Sequence, residues 1–109
     1  MEIERIKISR SGEWYECRLA VNGIPCSYSP CIFEFWDLEE EFGGGSDRFY
    51  QALAVECLVS HVQEANYWIE NGHPSMKAER DKAIKLIGQL RQELMAEIQQ
   101  HETGMSAAA

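Results

Sequence analysis

The chain reads as an α+β domain in which a small antiparallel sheet at the N-terminal end packs on two antiparallel helices. Three observations predict this. Residues 13–28 alternate in polarity around an Asn22-Gly23 pair, the strongest short-range signal for a two-residue hairpin. Residues 46–71 carry Phe49, Tyr50, Leu53, Val55, Cys57, Leu58, Val59, Val62, Tyr67, Trp68 and Ile69, an apolar set too wide for a helix buried along one stripe. Residues 75–102 repeat Ile84, Ile87, Leu90, Leu94 and Ile98 at helical spacing. With 109 residues and 45% hydrophobic content, a single domain over 1–103 is expected, with residues 104–109 as a flexible tail.

The sheet is expected to occupy residues 2–38 with three or four strands. Residues 2–9 alternate only in part, with Ile6 and Ile8 on one face and Ile3 on the other. Charged Glu2, Glu4, Arg5 and Lys7 suit an edge strand, and residues 9–12 read as a turn. In the hairpin, a type I′ turn at Asn22-Gly23 would set Val21 opposite Ile24, Leu19 opposite Cys26 and Cys17 opposite Tyr28. All six then share one face. Pro25 fits if its missing N–H points to an outer edge. Residues 31–38 (Cys-Ile-Phe-Glu-Phe-Trp-Asp-Leu) are aromatic enough to suggest another strand. Both of its parities carry large apolar groups.

Gly43-Gly44-Gly45-Ser46 reads as a flexible joint or helix lead-in. It lacks the Gly-Lys-Ser/Thr ending of a phosphate loop, and carboxylates crowd it. Ser46 or Asp47 can cap the first long helix. Gly72 suits a left-handed helix end, Pro74 prevents continuation and Ser75 can cap the second. In that second helix Ala83 lies inside the apolar stripe and Met95 at its edge. Gly88 is expected to mark close approach to the first helix.

Composition narrows the function. The formal net charge is −8, which disfavours direct nucleic-acid binding and an anionic membrane surface. The charged N-terminus has no apolar run resembling a secretory leader, and no apolar stretch approaches the ~20 residues that span a bilayer. A cytoplasmic protein with reduced thiols is therefore expected. Cys26, Cys31, Cys57 and His61 have suitable residue types for zinc, but their spacing is permissive and no Cys-x-x-Cys pair occurs. No metal or cofactor is expected. Cys57 and His61, four apart on one helical face, have no flanking signature of a nucleophile, so no enzymatic activity is expected.

The most informative feature is where the charge lies. Residues 1–33 hold four acids and four bases, and residues 71–109 hold five of each. Residues 34–70 hold nine acids and one base, Arg48. The segment interleaves Glu34, Asp37, Glu39, Glu40, Glu41, Asp47, Glu56 and Glu64 with aromatics, notably Trp36. Carboxylates beside aromatics describe a surface for a basic partner. The expected function is a small acidic binding protein. It would dock on a basic surface of a nucleic-acid-handling complex and inhibit or regulate it by imitating phosphate charge. Phage inhibitors of host defence are an analogy by size and charge alone. The alternatives are an assembly subunit that forms a homodimer through its helices, and a zinc or thiol protein.

Overall fold

In a computed structural model, backbone is described for residues 1–108 and side chains for residues 1–96. The fold is α+β. Strands β1 (Ile3–Ser11), β2 (Trp14–Val21) and β3 (Ile24–Tyr28) form one antiparallel sheet in the order β1-β2-β3. Helices α1 (Ile32–Phe42), α2 (Asp47–Glu70) and α3 (Lys77–Ala108) follow, with a short 3-10 turn at Pro74–Met76 before α3.

The β2–β3 register is the expected one, with Val21 opposite Ile24, Leu19 opposite Cys26 and Cys17 opposite Tyr28. Asn22 and Gly23 have φ of 47° and 81°, the left-handed pair that matches the twist of the flanking strands. Pro25 lies opposite Ala20, next to the closing pair of the hairpin. Its nitrogen therefore faces the outer edge, where no ladder bond is lost.

β1 departs from the expectation. The register slips between Arg5 and Lys7, so one extra residue is inserted beside Ile6. Such a bulge reverses the side-chain parity across it. Ile3 and Ile8, opposite Val21 and Cys17, therefore both pack against the core, and Ile6 is 54% exposed. Arg5 stands opposite Leu19, with its guanidinium 3.7 Å from the centroid of the Tyr50 ring.

The larger correction is residues 31–38, which are not a strand. After Tyr28 the chain makes only a single bridge from Cys31 to Trp14 and then enters α1. The apolar groups that filled both strand parities resolve into a helical row. Phe35 is buried, and Leu38 and Phe42, three and seven positions on, pack against the core. An aromatic chain fixes α1 in place. Tyr15 stacks on Phe35 at 3.8 Å with the rings 6° from parallel, and Phe35 meets Phe49 edge-on at 5.5 Å.

The glycine segment is a stitched connection rather than a flexible joint. Ser46 Oγ donates to Phe42 O at 2.8 Å and accepts from Phe49 N at 3.1 Å. One hydroxyl thereby ends α1 and caps α2.

α2 is the centre of the core. Phe49, Ala52, Leu53, Ala54, Val55, Cys57, Leu58 and Ala65 are buried on it, facing the sheet on one side and α3 on the other. α3 doubles back along α2, where Arg80 Nη1 donates to Asn66 Oδ1 at 3.1 Å. Among its described side chains Ala83, Leu86, Ile87, Leu90 and Leu94 are buried. Ile84, expected in that stripe, is 50% exposed; Leu86 takes its place, turned toward Asn22 and Ile24 of the hairpin. A side chain at Gly88 would meet no atom within 4 Å, so Gly88 marks no close approach to α2. Ser75 lies inside the 3-10 turn, and His73 occupies the position before it, so the expected Ser75 cap does not form. The helical backbone of α3 continues through residues 104–108, the stretch expected as a tail. Ile98 lies outside the described side chains.

Candidate functional site

The helical state of residues 32–42 changes which side chains meet. Phe33, Trp36, Asp37 and Glu40 recur at spacings of three and four, so they share the face of α1 opposite Phe35. Phe33 is 67% and Trp36 45% exposed, and their rings meet edge-to-face at 5.8 Å. Glu34, Asp37, Glu40 and Glu41 are exposed around them. Trp14, 56% exposed, bridges to Cys31 at the start of the same helix and shares a hollow with Phe33. Trp36 was expected at such a surface. Phe33 was not, because strand alternation put it with Phe35; the three-four spacing of Phe33, Trp36, Asp37 and Glu40 is the signal that would have found it.

The other expected residues distribute as follows. Glu34 accepts a hydrogen bond from the Tyr28 hydroxyl at 3.0 Å. Burial, the Glu34 bond and the charges of Glu34 and Glu56 together push the Tyr28 phenol above its ordinary range. Glu56 of α2 therefore stands in the same local field as Glu34 of α1. Glu39 is half-buried beside Gly44, and Asp47 is exposed in the first turn of α2. Glu64 is farther along α2, in a hollow with His61. Lys7 and Arg18 pair with Glu16, and Arg80 with Asp81. None of these three pairs draws on a carboxylate of residues 34–70. The lysine bond holds the Glu16 carboxyl below its ordinary range. The one base of the acidic segment, Arg48, has its guanidinium 5.9 Å from the Phe42 ring centroid.

Of Cys26, Cys31, Cys57 and His61, Cys26 and Cys57 are hydrogen-bonded neighbours, but the four do not converge as a cluster. Among the described residues no group of three or more His, Cys, Asp or Glu is placed to hold a metal. Cys17, Cys26 and Cys57 are core residues, whereas Cys31 is on the Trp14 side of α1. Cys26 Sγ donates to Leu19 O at 3.6 Å, and Cys57 Sγ lies 4.0 Å from Cys17 O. The Cys57 thiol is raised far above its ordinary range by its hydrogen bond with Cys26 and by burial, and burial lifts the Cys17 thiol to about 11. Thiols held protonated inside a core behave as small apolar groups.

At the far end of α2, Gly72 (φ 92°) turns the chain so that His73 N donates to Trp68 O at 2.9 Å. The His73 ring then meets the Trp68 indole at 5.3 Å. A hollow of about 260 Å³ opens here, lined by His61, Glu64, Ala65, Trp68, His73, Ser75 and Met76. Sequence reasoning named His61 and Glu64 for separate reasons and did not connect them to Trp68 and His73.

Among the described residues no helix is long and apolar enough to cross a membrane. Comparison with protein-family models, curated proteins and solved structures gave no match.

Proposed function

We propose that this chain is a small non-enzymatic binding protein whose docking surface is the outer face of α1. The observation that carries the reading is the exposed Phe33–Trp36 pair set among Glu34, Asp37, Glu40 and Glu41. Large aromatics exposed side by side cost hydration free energy unless a partner covers them. The ring of carboxylates selects a partner of opposite sign. The target is a basic surface of a nucleic-acid-handling protein, where the acidic face of α1 takes the place of phosphates and regulates or blocks access. Affinity resides in the aromatic pair, and rate and selectivity in the carboxylates.

The test is capture of basic proteins at low and high salt, with duplex DNA as competitor. Capture that weakens with salt, yields to DNA and is lost in Trp36→Ala supports the reading. Capture indifferent to salt and DNA, or unchanged by Trp36→Ala, refutes it.

A second reading is favoured by the α3 surface. Ile84 and Met95 are 50% and 58% exposed, three helical turns apart on one side, with the uncrowded Gly88 between them. A homodimer through this stripe would make the chain an assembly subunit. Sedimentation equilibrium decides: a monomer at all concentrations eliminates it.

A further inference from the structure

We propose that the hollow at the α2–α3 turn receives the guanidinium or ammonium group of an arginine or lysine side chain from the basic partner, giving that partner a second point of attachment. The inference rests on the basic-partner reading above.

Three features point to a cation. The Trp68 indole is 41% exposed at the rim and is held by its contacts with His73. An indole face is the best aromatic platform for an organic cation. Glu64, exposed one helical turn before Trp68 on the same face of α2, supplies a carboxylate. Beneath them His61 Nε2 is shut off from solvent without a hydrogen-bond partner, 3.7 Å from Glu79 Oε1, too long for a bond between them. A ring nitrogen that faces a carboxylate is the donor of the pair, so the acceptor offered to an entering cation is Glu64. Among the described residues no lysine or arginine lines this hollow, and Arg18, which lines the adjoining one, is paired with Glu16.

Its continuation points to a side chain carried by a larger partner. The hollow holds about 260 Å³. It adjoins a second hollow that shares His61 and Glu64 and runs on past Pro25, Cys26 and Ser27 of β3. There is thus room beside the end-group site for the chain that carries the end group.

The experiment uses the full chain and NMR shifts of the Trp68 indole N–H and the His61 and His73 rings. Ethylguanidinium is compared with neutral ethylurea of the same shape, and both with a blocked Gly-Arg-Gly peptide. The expected result is saturable shifts with ethylguanidinium, none with ethylurea, and tighter binding of the peptide. Glu64→Gln and Trp68→Leu should each weaken ethylguanidinium by about three- to fivefold. Trp36→Ala should leave its binding unchanged. A melting curve on each variant establishes that it is folded, and Glu64→Gln, a surface change, serves if Trp68→Leu is not. Equal shifts with ethylurea, or none with ethylguanidinium, overturn the cation site. Equal affinity for peptide and ethylguanidinium overturns the side-chain source. If the probes fail while Trp36→Ala still abolishes salt-sensitive capture, only the second attachment point is lost. If the probes bind and capture never appears, the α1 reading falls instead.

Discussion

The outer faces of α1 and α3 both expose large apolar side chains, yet they arrange them differently. On α1 the aromatics Phe33 and Trp36 touch each other, and their neighbours Glu34, Asp37, Glu40 and Glu41 carry one sign of charge. On α3, Ile84 and Met95 stand three turns apart, and the stretch from Lys77 to Ala96 holds five Lys or Arg against three Asp or Glu. Clustered rings in a field of one sign form a contact that a partner can desolvate in one piece. Separated aliphatics among mixed charges expose less continuous apolar area and attract no partner of fixed sign. The same backbone element thus presents a joined apolar patch or scattered apolar groups according to whether its apolar residues touch.

Both faces depend on α2, so the most disruptive change is made there. Leu58→Ala empties a fully buried position and is expected to cost about 3 kcal/mol, read as a fall in the urea midpoint; it should impair both faces alike. The next largest effect separates them. Trp36→Ala should weaken partner binding by about 2 kcal/mol with an unchanged melting temperature, whereas Ile84→Ala should alter binding negligibly. An equal loss from both substitutions would erase the distinction drawn here. Gly88→Ala tests the α3 side. With open space around it, the added methyl should raise stability by up to about 1 kcal/mol, and a stabilised but dissociated protein in sedimentation would instead reveal a second copy at that face.

The smallest effect concerns pH and reports where Glu34 stands. Because the Tyr28 phenol is raised in the folded chain, its contribution to stability is fully present below the ordinary tyrosine range near 10 and is lost as pH rises through the folded value. Absorbance titration should show one tyrosine ionising after the others. Glu34→Gln should bring it back only part of the way, since burial is the larger cause.

The hairpin could be read from sequence because its determinants are local: Asn22-Gly23 sets the turn, and alternation sets the register. α2 was visible through the breadth of its apolar set. Residues 31–38 read as a strand because Phe33, Phe35 and Trp36 are aromatics that favour strands, whereas the fold uses the helical spacing of Phe35, Leu38 and Phe42. The bulge at Ile6 leaves no mark in composition, since any residue can occupy it. Ile84 and Leu86 lie on opposite flanks of the Ala83–Ile87–Leu90–Leu94 row, and only the position of the hairpin decides which flank is covered. The charge map along the chain identified the acidic segment, but the helical turn of residues 32–42 decided which carboxylates surround an exposed tryptophan.

The slip at Ile6 also bears on what the sheet can recruit. β1 is nine residues long and its outer side is unpaired within the three-stranded sheet, an invitation for another molecule to add a fourth strand. A local kink there breaks the even spacing of its donors and acceptors, and Pro25 removes a donor on the opposite border. Each border of the sheet is thereby a poor template for an added strand.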